Sequence, residues 1–122
     1  MKMEIFQKIL ISAISLLLLG LGLKSMFNPR SMIQNFSVTP DGAAGLNTMR
    51  GVIGGFFLGS FAMLITGLIR EETIWFLPVA ILLAAVAMGR LIGLVVDGFH
   101  KNVVPPLVLE IVMIGFLIWP GI

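Results

Sequence analysis

ILISAISLLLLGLGL, from Ile9 to Leu23, carries no charge and no interruption stronger than two glycines. A helix needs about 20 mostly apolar residues to cross a bilayer. With its flanks this run supplies them, from about Phe6 to Phe27. Working outward, three more runs of the same kind follow: about Asn47–Ile69, Ile74–Val96 and Val103–Trp119. Breaks rich in turn formers and charge separate them: Asn28-Pro29-Arg30, Thr39-Pro40-Asp41-Gly42, Arg70-Glu71-Glu72-Thr73 and Asp97-Gly98-Phe99-His100-Lys101-Asn102. The pattern predicts an all-α, integral membrane four-helix bundle of up-down topology, filling 1–122 as one transmembrane domain. Between spans one and two, Met32, Ile33 and Phe36 give one apolar face to a short interfacial helix, with Asn28 as its cap and Pro29 at its first position.

The whole chain agrees with that stretch. Of 122 residues 58% are hydrophobic and 11% charged, against about 45–50% and about 25% in soluble domains. Lys2 and Lys8 ahead of the first run imitate a secretory signal, yet no A-x-A-like cleavage site follows, so the run reads as a span. Pro78, Pro105 and Pro106 fall in first turns, where no helical hydrogen bond is lost. Up-down topology puts Trp75 and Trp119 at the same membrane face, where tryptophans favour the interface. Orientation is undecided. Lys2, Lys8 and Arg70 mark one face; Lys24, Arg30, Arg50 and Lys101 mark the other.

Composition also excludes chemistries. The sequence has no cysteine, which removes disulfides, iron–sulfur clusters, thiolate nucleophiles and thiolate–zinc sites. A single histidine removes a bis-His haem within one chain. The net charge of +2 is scattered singly rather than gathered into a phosphate-binding face, so nucleic acid is rejected as a partner. Eight methionines are dispersed as filler. Asp97 and His100 are too few donors for a metal site, and no phosphate loop or nucleophile elbow occurs. No metal, no cofactor and no autonomous redox or hydrolytic catalysis is expected.

Two features remain. Gly51, Gly55 and Gly59 in span two, and Ala85, Gly89 and Gly93 in span three, recur every four residues; such small-residue rows let helix backbones approach in lipid. They predict packing of spans two and three, or a face for another subunit. The second feature is polar. Arg90 and Glu110 lie ten residues either side of His100, so at about 1.5 Å per residue they reach similar depth on antiparallel neighbours. Intramembrane charges pair or face the bundle interior, and an Arg90–Glu110 ion pair is predicted. Asn47, Arg50, Asp97 and His100 fall in the same half of the membrane, which extends the candidate cluster to Asn47, Arg50, Arg90, Asp97, His100 and Glu110. It reads as a self-neutralising structural network, a pocket for an anionic or polar ligand, or a proton relay through His100, Asp97 and Glu110.

Leu46-Asn47-Thr48-Met49-Arg50-Gly51, the Gly54-Gly55 pair and Gly89-Arg90-Leu91-Ile92-Gly93 through Asp97-Gly98 resemble a bacterial four-helix membrane family known as domain of unknown function 4345. The resemblance covers nearly the whole chain. It implies the same topology and singles out the same polar residues, but supplies no activity; a bacterial inner membrane is the implied location. Three functions are left standing. The first is an accessory or structural subunit of a larger membrane complex, with other membrane subunits or self-association as partners beside the lipid bilayer. The second is a ligand-binding protein or small enzyme using the polar cluster. The third is a small dimeric transporter, for which Glu110 in the last span is misplaced and no inverted repeat is evident.

Overall fold

The computed structural model describes residues 3–122; Lys2, counted above among the charges of one face, lies outside the described residues. Helix α1, Ile5–Phe27, forms the first span. A 3-10 turn at Pro29–Met32 leads into α2, Ile33–Phe36. Helix α3, Gly42–Thr48, runs through a π-helical turn at Met49–Gly54 into α4, Gly55–Arg70, and together they make the second span. Helix α5 is Phe76–Val96 and α6 is Val104–Ile118. Four helical segments are thus long and apolar enough to cross a bilayer, and no strand occurs among the described residues. Large apolar side chains such as Leu16, Ile81, Met88, Val95 and Ile111 remain exposed on the outside. A soluble monomer rarely leaves so much apolar surface uncovered; lipid is the solvent this surface fits.

The short connection α2 ends in the left-handed residue Ser37 (φ 55°). Its approach is capped differently from the sequence expectation. The Asn28 side chain makes no capping bond; instead its carbonyl accepts from the Ser31 amide at 3.1 Å and the Ser31 hydroxyl at 2.7 Å. Span two also begins earlier than the polarity pattern suggests, at Gly42 rather than near Asn47. Gly42-Ala43-Ala44-Gly45 carries no charge to mark the boundary, and alanine favours the helix.

Each span buries one row. On α1 this is Gln7, Ile11, Ile14, Leu18, Gly22 and Ser25. On α4 it is Ser60, Leu64 and Gly67; on α5, Phe76, Val79, Ala80, Leu83 and Ala87; on α6, Leu107, Glu110, Met113 and Leu117. Spacings of three and four put each set on one helical face. The spans associate as two hairpins, α1 with the span containing α4, and α5 with α6. The first hairpin closes through glycine. A Cβ on Gly22 would lie 2.7 Å from Leu58 Cδ2, and one on Gly54 3.2 Å from Met26. The hairpins join through Gly67, where a Cβ would stand 2.5 Å from Phe76 Cε1.

This corrects the expectation that spans two and three pack against each other through their rows of small residues. A Cβ on Gly51, Gly55, Gly59 or Gly89 would meet nothing within 4 Å, and one on Gly93 would reach only Asp97 Oδ2 of its own helix, at 3.8 Å. Ala85 is likewise exposed. The reason is angular. Each residue advances about 100° around a helix, so Ser60, Leu64 and Gly67 share one side of α4, while Gly55 and Gly59 stand roughly 140–180° round from Leu64. The Gly51–Gly55–Gly59 row turns away from it.

The end of the bundle holding the α1 start and the α4–α5 turn is tied shut. Lys8 Nζ reaches Glu71 Oε1 at 2.8 Å, Phe6 and Trp119 meet edge to face at 6.0 Å, and Trp75 Nε1 donates to Glu72 Oε1 at 3.1 Å. Glu71 takes a left-handed conformation (φ 52°), and the Glu72 amide returns to the Gly67 carbonyl at 3.0 Å, closing the helix end. Both tryptophans lie at this end. We call it the closed end and the other the open end.

Candidate functional site: a cleft at the open end

Arg90 continues the buried row of α5 one turn beyond Leu83 and Ala87, while Glu110 sits in the buried row of α6. The antiparallel hairpin brings them together. Arg90 Nε donates to Glu110 Oε1 at 2.8 Å and to Oε2 at 3.0 Å. The glutamate is the more enclosed partner: 10% of its side chain is accessible, against 28% for the arginine. A guanidinium has five N–H donors, and only Nε is engaged among the described residues. The unsatisfied and accessible part of the pair is therefore the Nη1 and Nη2 end, a donor surface.

That surface lines a cleft of about 490 Å³ between the two hairpins. Leu21 of α1, Val52, Ile53, Phe56 and Phe57 of span two, Leu83 and Val86 of α5, and Pro106, Leu109 and Met113 of α6 form its walls. Asn35 and Phe36 of α2 complete them. Phe36 stacks on Phe57, with centroids 6.1 Å apart and planes 17° apart, and Phe57 meets Phe56 at 5.3 Å. The short helix thus docks on span two through an aromatic contact and brings Asn35 to the cleft. Leu83 and Met113 line the inner end and belong equally to the packed core beneath. Pockets for small molecules are typically about 300–1,000 Å³, mostly apolar, with a few placed polar groups; this cleft fits that description.

The remaining members of the proposed cluster lie elsewhere. Arg50 is exposed and its Nη1 donates to the Met26 carbonyl at 2.7 Å. It caps the last turn of α1, where a cation also complements the helix dipole. Asp97 ends α5 and is exposed; His100 is exposed, its Nδ1 accepting from the Asn102 amide at 3.2 Å. Asn47 is exposed as well. Equal depth placed these four near the pair in the sequence reading, but they project at the rim, where water meets their needs without one another. No group of three or more His, Asp or Glu side chains able to hold a metal occurs among the described residues. Asn35, Phe56 and Phe57 escaped the sequence reading, which had Phe36 only as part of the short helix's apolar face, and the aromatic concentration at Phe56-Phe57, opposite an arginine-bearing span, is the signal for them.

Four helices long and apolar enough to cross a bilayer, packed around a half-open polar-tipped cleft, define the class as an α-helical membrane protein. The chain belongs to the family described as Domain of unknown function (DUF4345), whose model matches residues 6–120. No curated protein and no solved structure matches it.

Proposed function

We propose that the protein binds a lipophilic small molecule inside the membrane, seating its polar end on Arg90 and Asn35 and its apolar body against the cleft wall. The observation that carries this reading is the cleft itself: the partly satisfied Arg90–Glu110 pair opens, beside Asn35, onto about 490 Å³ of mostly apolar space. A pair serving stability alone has no need of an open face. Of Asn47, Arg50, Arg90, Asp97, His100 and Glu110, the reading assigns ligand contact to Arg90, gives Glu110 the role of holding it, and leaves the others to the rim. Native mass spectrometry of the protein extracted from its own membranes in a mild polymer tests it. A bound small mass is expected in the native chain and absent in Arg90→Ala and Val86→Phe variants. A bound mass indifferent to both variants sinks it.

A second reading, an accessory subunit of a larger membrane complex, draws on a different observation. The Gly51–Gly55–Gly59 row is uncovered, with room beside each glycine for another helix. Co-purification of a stoichiometric partner, lost in Gly55→Leu, is its expected signature. A chain that migrates alone removes it.

A further inference from the structure

The polar end of the cleft also selects the kind of molecule it holds. Resting on the binding reading above, we infer that the ligand's head is uncharged and carries a carbonyl oxygen, as in a quinone ring or an acyl ester, and that an anionic amphiphile is disfavoured. Arg90 is neutralised before any ligand arrives, because Glu110 holds its Nε at 2.8 Å with both carboxylate oxygens in reach. The site is therefore net neutral while presenting N–H donors: Nη1 and Nη2 of Arg90, and the Asn35 side-chain amide, which has no protein partner among the described residues. Glu110, the acceptor, also lines the cleft but is the more enclosed member, with 10% of its side chain accessible against 28% for Arg90, and both its oxygens already face Arg90 Nε. A carbonyl oxygen accepts from these donors and brings no charge into the apolar cleft.

An anion on the same donors meets two opposing charges at comparable range. The two poles of the ion pair are in direct contact, so repulsion from the Glu110 carboxylate is of the same order as attraction to the guanidinium. The anion's desolvation on entering an apolar wall is then left uncompensated. Lys24, Arg30, Lys101 and Arg50, the cations of the open end, do not line the cleft and cannot restore the balance within it.

The test uses the full-length protein in lipid nanodiscs, with probes compared at equal mole fraction in the bilayer. Methyl palmitate and hexadecanesulfonate share a long saturated chain and differ in head charge at every working pH; decylubiquinone reports the ring-carbonyl alternative. Binding is read by native mass spectrometry and by displacement of a fluorescent lipophilic probe. Methyl palmitate or decylubiquinone is expected to bind at least tenfold tighter than hexadecanesulfonate, and whichever is the tighter identifies the source of the carbonyl. In Glu110→Gln, which keeps the side-chain volume and frees the guanidinium charge, the preference is expected to invert towards the sulfonate. Equal or tighter binding of the sulfonate by the native chain overturns this inference and leaves the binding reading standing. Failure of all three probes to bind overturns both. Should Glu110→Gln not fold, the native comparison decides alone.

Discussion

The closed and open ends of the bundle are made from the same kinds of residue and pack to different outcomes. At the closed end Ile11, Leu64, Phe76, Val79 and Leu117 are almost wholly buried, and Phe76 occupies the space left by Gly67. At the open end Phe56 and Phe57, with Val52, Ile53, Val86, Pro106 and Leu109, line a cleft instead of filling it. At one end a phenylalanine ring fills the room a glycine leaves; at the other the phenylalanines stack on one another along the wall. Overall apolarity therefore says nothing about whether a membrane bundle is filled. In lipid, where apolar contact with a neighbour helix replaces apolar contact with acyl chains, packing complementarity decides.

The sharpest way to break this comparison is at the ion pair. Glu110→Ala strands Arg90 in the membrane and is expected to destabilise the fold by about 3 kcal/mol, measured by thermal unfolding in detergent. An Arg90→Leu/Glu110→Leu double variant is expected to recover most of that loss; if it does not, the pair contributes more to the fold than its own charge balance. Next comes volume. Val79→Phe, in the closed end where the side chain is fully buried, is expected to cost about 1–3 kcal/mol by overpacking. Val86→Phe, on the cleft wall, is expected to be neutral or stabilising and to abolish ligand binding. Equal costs at both positions would mean that the open end is as full as the closed one.

Glycine sharpens the contrast at smaller scale. Gly67→Ala collides with Phe76 and is expected to lower stability by about 1–2 kcal/mol, whereas Gly55→Ala meets nothing and is expected to raise it by about 0.5 kcal/mol through helix propensity. The smallest effect is at Ser60, whose buried hydroxyl has no partner among the described residues. Ser60→Ala is expected to change stability by under about 1 kcal/mol and in the favourable direction, read as a rise in unfolding temperature.

These residues also show what was legible beforehand. Four spans follow from runs of apolar residues, and both tryptophans fall at one end because up-down connectivity demands it. The Arg90–Glu110 contact follows from counting outward from a turn, since depth is fixed by helical rise and charges in lipid seek partners. Face was not legible. Lipid-facing and core-facing positions are both apolar, so periodicity could not tell the uncovered Gly51–Gly55–Gly59 row from Gly22, Gly54 and Gly67, which the packing uses. Depth without direction likewise drew Asn47, Arg50, Asp97 and His100 into one cluster with the pair. The cleft was illegible for a further reason: it is an absence of side-chain volume among four spans and a connecting helix, and no single segment records it.

The π-helical turn at Met49–Gly54 gives span two a property that a uniform helix lacks. Such a turn holds about one residue more than the α-helical geometry it interrupts, so Gly42–Thr48 stands roughly 100° further round the axis than unbroken winding would set it. Within that one turn Arg50 and Gly54 address Met26 of α1 while Val52 and Ile53 address the cleft. Phase in the outer segment is thereby uncoupled from phase in α4. The span works as two rods joined by a slipped gear, and the outer rod can be re-indexed by a single-residue insertion or deletion without disturbing a contact at the closed end.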